Sequence, residues 1–193
     1  SHQLSTPDSS LLTPHPPAER IILMGAARLD DPVKGLPLAI EVLNRLADIR
    51  PDIAADSRAI FFGAIRSPRA LSSLRFPHTH LGMISDPSRL QTLYSRATAL
   101  ISTSLAETLP GTLVEAQAAG CTPLAWDRGG QSDIISSPLT GRILPFGDID
   151  AMAHALAEVL DSPADPATLR RSVRERFDAL TIAARYVSLI QSL

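Results

Sequence analysis

The sequence predicts a doubly wound α/β domain, a parallel sheet covered by helices on both faces. Three observations carry this. From Arg20 onward, short apolar runs such as RIILMGA (20–26) and AIFFGA (59–64) alternate with segments whose apolar residues recur at helical spacing. The runs are apolar at consecutive positions rather than at every second one, as strands buried on both faces require. At 193 residues, 45% of them hydrophobic, the chain holds enough apolar material to cover both faces.

Residues 1–19, SHQLSTPDSSLLTPHPPAE, carry no period and read as a linker or disordered arm, held extended by Pro14, Pro16 and Pro17. The first strand is 20–26. In LPLAIEVLNRLADIR (36–50), Leu36, Ala39, Ile40, Leu43, Leu46 and Ala47 share one helical face. The second strand is 59–64 and HLGMI (80–84) a third, followed by a helix near Ser88–Arg96. ATALIST (97–103) is a strand, 110–119 a helix, CTPLAW (121–126) a strand and GRILP (141–145) a weak strand. Ile149, Met152, Leu156, Val159 and Leu160 then share a helical face, with Asp148 as N-cap. The tail from Pro166 is helical with breaks. Its last part is one-sided through Ile182, Tyr186, Leu189, Ile190 and Leu193. No internal repeat is visible, and residues 20–193 read as one domain.

Composition excludes several classes. A net charge of −2 and the lack of a basic run argue against a nucleic-acid partner. No apolar stretch approaches the ~18 residues that span a bilayer, and the start does not read as a signal peptide. The one cysteine, Cys121, cannot close an internal disulfide; it heads an apolar run and reads as a small core residue in a reducing cytoplasm. The histidines lack metal-ligand spacing, so no metal site is expected.

Ligands of such sheets sit at the carboxyl ends of the strands, where the strand order reverses. The loop GAARLDDPVKGL (25–36) holds Arg28 and the chain's single lysine, Lys34. It matches neither a dinucleotide fingerprint nor a P-loop, so a phosphate bound there would be neutralised by side chains. Arginine offers a planar fork and lysine a point charge, and a diphosphate can use both. Alternatively, Arg28 pairs with Asp30 or Asp31 and Lys34 is solvated at a helix start. In SLAETLPGTLVEAQAAG (104–120), Pro110 suits a first helical position and Gly111 leaves the helix N-terminus bare. The N–H groups of Gly111, Thr112 and Leu113 are then free to meet an anion or sugar oxygens. Glu107 precedes the helix and Glu115 lies one to two turns inside it. Dipole compensation by Glu107 and a solvated Glu115 are the alternatives.

The E-x7-E from Glu107 to Glu115 is followed by Ala116, Ala118, Gly120, a Pro123 strand and GGxxDII (Gly129–Ile135). This series resembles the C-terminal domain of retaining GT-B glycosyltransferases, in the large family of bacterial glycan-assembly and sucrose-phosphate-synthase-like enzymes. GAARLDDPVKGL is similar to the family's G-x-R-(loop)-K-G. The segments HLGMISDPSRLQTLYSRATALISTS, TGRILPFGD and FDALTIAARYVSLI follow in family order, so the likeness covers about residues 20–193.

The resemblance implies a Rossmann-like domain, one half of a GT-B fold, that binds a nucleotide sugar. It gives Arg28 and Lys34 the donor diphosphate, Glu115 the ribose hydroxyls and Glu107 a place beside the transferred sugar. The backbone at Leu109, Pro110, Gly111 and Thr112 would reach sugar hydroxyls and phosphate; Met83, Ile84 and Leu90 would flank the base. The donor would be UDP- or GDP-linked, with no other cofactor and no metal. The acceptor, a glycan, lipid or other hydroxyl compound, would enter through an N-terminal domain outside this chain. Retaining sugar transfer would need that domain, which is also the route by which a cytoplasmic enzyme would meet the inner membrane. The exposed side of the final helix would favour self-association.

Three departures from the family pattern stand out. Glu107-Thr108-Leu109-Pro110-Gly111 replaces E-G-F-G, Phe62-Gly63-Ala64 supplies one glycine of G-x-G, and Asp133 replaces a glutamate in a structural or helix-capping place. Three other functions stay open. One is a nucleotide-sugar-binding module without catalysis, and another a sugar-nucleotide epimerase. The third is a phospho-acceptor domain, suggested by Asp30-Asp31 but opposed by Ile84-Ser85 and Trp126-Asp127-Arg128 at its other key places.

Overall fold

The computed structural model describes residues 20–67 and 69–191, so the arm expected at 1–19 and Leu193 of the tail fall outside the described residues. Six strands form one all-parallel sheet: β1 (Arg20–Arg28), β2 (Ser57–Ala64), β3 (His78–His80), β4 (Ala99–Ser102), β5 (Thr122–Trp126) and β6 (Arg142–Leu144). The order β3-β2-β1-β4-β5-β6 reverses the winding between β1 and β4. There the connections leave to opposite faces and open a crevice.

Strand β1 shows why consecutive apolar residues are needed. Ile22 and Met24 enter the core of one face with Phe61, Ile101, Leu124 and Trp126. Ile21 and Leu23 enter that of the other with Ile60, Leu100 and Ala125. Helices α1 (Leu36–Ile49) and α6 (Ile149–Asp161) cover the first face, α3 (Pro87–Arg96) and α4 (Gly111–Ala119) the second. In α1, Leu36, Ala39, Ile40, Leu43 and Leu46 are buried as their spacing predicts, while Ala47 is half-buried. Asp148 caps α6 by accepting the Ala151 N–H at 2.9 Å. Cys121 is fully buried, and burial pushes its thiol pKa up, as befits a core residue.

The third strand is 78–80 rather than 80–84. Leu81 still donates to the Phe61 carbonyl at 2.9 Å, but Gly82 takes φ +69° and turns the chain out of the ladder. Strand β4 is confined to 99–102, inside the 97–103 expected. Helix α4 starts at Gly111, with Pro110 as an extended N-cap instead of the first helical residue. A 3₁₀ turn at Pro32–Lys34, α2 (Pro51–Ala55) and α5 (Gln131–Ile134) are too short to show a period in the sequence.

The tail breaks at Asp178 into α7 (Pro166–Phe177) and α8 (Ala179–Gln191), and Asp178 accepts the N–H groups of Leu180 and Thr181 at 3.0 and 3.3 Å. α7 packs on α4, where Arg170 donates to the Ala119 carbonyl at 2.9 Å. α8 buries none of its residues, and Leu180, Tyr186, Leu189 and Ile190 are exposed. No helix among the described residues is long and apolar enough to cross a membrane.

Candidate functional site

The carboxyl ends of β1 and β4 carry the two loops that hold Lys34 and Glu107. After β1 the chain makes the Pro32–Lys34 turn, capped by Asp31, whose Oδ1 accepts the Val33 N–H at 3.1 Å. The turn ends on Gly35 at φ +65°, where a Cβ would lie 2.1 Å from the Thr103 carbonyl oxygen. Only glycine lets the turn rest against the end of β4. Buried Thr103 donates through its hydroxyl to the Gly35 carbonyl at 2.9 Å, and the Leu105 N–H donates to the Val33 carbonyl at 2.8 Å. These bonds bring together two residues 73 positions apart: Lys34 Nζ donates to Glu107 Oε1 at 2.7 Å. Side-chain exposures of 32% and 17% place the pair at the edge of solvent, where salt screens it only in part.

The double glycine supports Glu107 from the other side. The Gly130 N–H donates to the Glu107 carbonyl at 3.0 Å. A Cβ on Gly130 would fall 1.8 Å from the Thr108 oxygen, and one on Gly129 2.2 Å from the Glu107 oxygen. Arg128 Nε donates to the Leu105 carbonyl at 3.1 Å, with its guanidinium over the Phe146 ring. Asp133 does not cap α5: the N-cap, Gly130, makes no side-chain bond, and the Asp133 carbonyl accepts from the Arg176 guanidinium.

A cavity of about 200 Å³ opens between these loops, lined by Gly25–Ala27, Lys34, Glu107 and Leu109–Thr112 among others. No side chain caps the N-terminus of α4, so the positive end of the helix borders this cavity. Of the three N–H groups expected to be free there, that of Leu113 is not. It donates to the Pro110 carbonyl at 3.0 Å because the first turn closes tightly.

A second cavity of about 310 Å³ lies between α3 and α4, lined by Leu90, Gln91, Tyr94, Glu115 and Ala118 among others. Across it the Tyr94 hydroxyl donates to Glu115 Oε2 at 2.9 Å. Burial, then the Glu115 charge, pushes the Tyr94 pKa well above the usual phenol range, so its proton stays in place to donate.

Lys34, Glu107, Leu109, Pro110, Gly111 and Thr112 therefore surround one cavity, and Leu90 and Glu115 the next. Arg28, Met83 and Ile84 line neither. Arg28 is ion-paired: its Nη2 lies 3.1 Å from Asp31 Oδ2 and its Nε 3.9 Å from Asp30 Oδ1. Asp30 Oδ2 also accepts the N–H groups of Ser67 and Arg66, at 2.9 and 2.7 Å. The Ser67 N–H above all holds its carboxyl below the ordinary range, so Asp30 is a loop fastener rather than an open phospho-acceptor. Ile84 packs on the second core, and Met83 is exposed. Glu115 is exposed yet hydrogen-bonded, and Lys34 is paired rather than fully solvated.

Tyr94 and Thr103 are site residues the sequence did not single out. Tyr94 shares a helical face with Leu90 and reads as core, and only the need of a buried phenol for a partner hints at more. Among the described residues no group of three His, Cys, Asp or Glu could hold a metal ion.

Solved glycosyltransferases share this fold. S. aureus TarM, in complex with fondaparinux, alpha-GlcNAc-glycerol and UDP, is 17% identical at a TM-score of 0.74, covering 92% of this chain and 37% of its own. Sucrose-phosphate synthase from Thermosynechococcus elongatus is 23% identical at 0.73, covering 93% and 47%. The UDP-forming trehalose-phosphate synthase of Burkholderia xenovorans is 18% identical at 0.73, covering 94% and 45%. The chain thus spans less than half the length of each. No curated protein sequence matches it. The family described as "Glycosyl transferases group 1" matches residues 14–176, which include all six strands and both cavities. With the parallel sheet and its GT-B neighbours, that match shows that the chain belongs to the group 1 glycosyl transferases.

Proposed function

We propose that this chain holds the nucleotide-sugar donor of a retaining glycosyltransferase, with the acceptor brought by an N-terminal domain outside it. One observation carries the reading. Two cavities follow one another along α4, the first bordered by Lys34, Glu107 and the helix N-terminus, the second by Glu115. A sugar–diphosphate–nucleoside presents its groups in the same succession. In the first cavity the diphosphate draws Lys34 from Glu107 and meets the positive end of α4. Glu107, released, accepts hydrogen bonds from the sugar. Arg28 joins only by leaving Asp31. In the second cavity Glu115 accepts from ribose hydroxyls, with Leu90 and Ile84 toward the base. The names of TarM's complex and of the UDP-forming synthase favour uridine, with GDP the alternative.

In transfer, the bond from the sugar's anomeric carbon to the phosphate oxygen breaks. A bond from that carbon to the acceptor oxygen forms on the same face, and the hydroxyl proton passes to the leaving phosphate. Charge grows on the diphosphate as it leaves, so Lys34 and the helix end stabilise the transition state more than the ground state. The exposed side of α8 supports self-association of the isolated chain.

Calorimetry with UDP and GDP tests the reading. One of them is expected to bind, and Glu115→Ala to weaken it roughly 10- to 1000-fold, through lost charge-assisted hydrogen bonds. Binding of neither nucleotide, or equal affinity in the variant, overturns it.

A further inference from the structure

The second cavity contains a polar contact for which the proposed donor site has no direct use. Tyr94 is only 2% exposed, yet its hydroxyl reaches from α3 to α4 and donates to Glu115 Oε2. The tyrosine is itself fixed. Its ring packs edge-on against Phe62, with centroids 5.8 Å apart and planes at 89°. The Phe62 ring in turn covers Gly25, where a Cβ would fall 1.9 Å from the ring's Cζ. A line of contact therefore runs from the end of β1 through Gly25, Phe62 and Tyr94 to the Glu115 carboxylate. Glutamate at an exposed helix position samples many rotamers, and ordering it on binding costs entropy. A carboxylate already held by one oxygen avoids most of that cost. An ionised carboxylate offers about four lone-pair sites; Tyr94 occupies one on Oε2 and leaves Oε1 for a ligand.

We propose that Tyr94 is a positioning residue whose hydroxyl holds the Glu115 carboxylate ready for ribose hydroxyls, so that the site prefers ribonucleotides to nucleotides lacking them. The inference rests on the reading of Glu115 given above, and one experiment separates the two. Tyr94→Phe removes the oxygen and keeps the ring on Phe62. Glu115→Gln removes the charge, and Glu115→Asp draws the carboxylate back by one methylene from Tyr94 and from the ribose alike, at an exposed position. Calorimetry compares wild type and variants with UDP or GDP, whichever the wild type binds, and with the 2′,3′-dideoxy form of the same nucleotide.

Tyr94→Phe and Glu115→Asp are each expected to weaken the ribonucleotide about 3- to 20-fold and leave the dideoxy form unchanged, because only the hydroxyl contacts are disturbed. A purely structural role would move both nucleotides alike. Equal losses for both, or wild-type discrimination, in either variant overturns the inference while the Glu115 reading stands, provided that Glu115→Gln discriminates less than wild type. If Glu115→Gln discriminates as wild type does, both fall. Should Tyr94→Phe not fold, Tyr94→Met, which also lacks the hydroxyl, takes its place with the same expectations and the same overturning results.

Discussion

The two cavities along α4 are neighbours built by opposite means. The first is framed by loops whose path is set by the backbone: Gly35, Gly129 and Gly130 each approach a carbonyl so closely that a Cβ would lie 1.8–2.2 Å from it. Its polar contact is an ion pair, Lys34 with Glu107, that any anionic ligand must rearrange. The second is framed by two helices, and its polar contact, Tyr94 to Glu115, is set by side-chain packing and can stay in place when a ligand arrives. On the proposed reading the difference separates two tasks. A site that exchanges one anion for another suits charge that develops during a reaction, and a site held in advance suits steady affinity.

Lys34→Ala should test this division hardest. On the proposed reading it slows sugar transfer, measured with the acceptor-bringing domain present, roughly 10- to 1000-fold while nucleotide affinity changes far less, because its contact would strengthen as the phosphate leaves. Arg28→Ala should fall near the low end of that range, since Asp31 already holds the guanidinium. A wild-type kcat/KM for Lys34→Ala would remove the division altogether. Gly130→Ala should act through the fold: displacing the Thr108 carbonyl is expected to lower stability by about 1–3 kcal/mol, read as a lower denaturation midpoint. An unchanged midpoint would mean that the loops are looser than their close approaches imply.

The smallest effect concerns the loop beside the first cavity. The carboxyl of Asp30 is held below its ordinary value of 3.8 by the Ser67 and Arg66 N–H groups. A depressed carboxylate stabilises the fold above its unfolded pKa, and that contribution is lost as pH falls through the folded value. Wild type should therefore exceed Asp30→Asn in stability near neutral pH and converge with it in acid, as urea titrations at a series of pH values would show. A constant difference across that range would leave the Asp30 carboxylate without a part in fastening the loop.

Much of this architecture was legible in the sequence, and the misses have physical causes. Consecutive apolar residues at 20–26 and 59–64 announced buried strands, and the face from Leu36 to Leu46 announced α1. The third strand lies earlier than the run LGMI after His80 suggests, because nothing local says that Gly82 turns left-handed. Pro110 lies one residue outside the helix that its type suits it to open, a boundary that depends on the chain's entry angle. In the loops, Glu107, Glu115 and Lys34 stood out by type and spacing. Arg28 stood out equally, and acids two and three residues along pair with it. Tyr94 was invisible as a site residue because an aromatic among leucines on a helix face has the pattern of core.

Local sequence determined most of the strands and the longer helices, because periodicity, caps and glycines act over a few residues. It also put a lone ammonium and two carboxylates at strand ends. The tertiary structure alone decided that Lys34 meets Glu107 and that Tyr94 meets Glu115. Such contacts join separate elements of the chain, so their geometry follows from the order of β1 and β4 and the packing of α3 on α4, which no stretch of sequence encodes by itself.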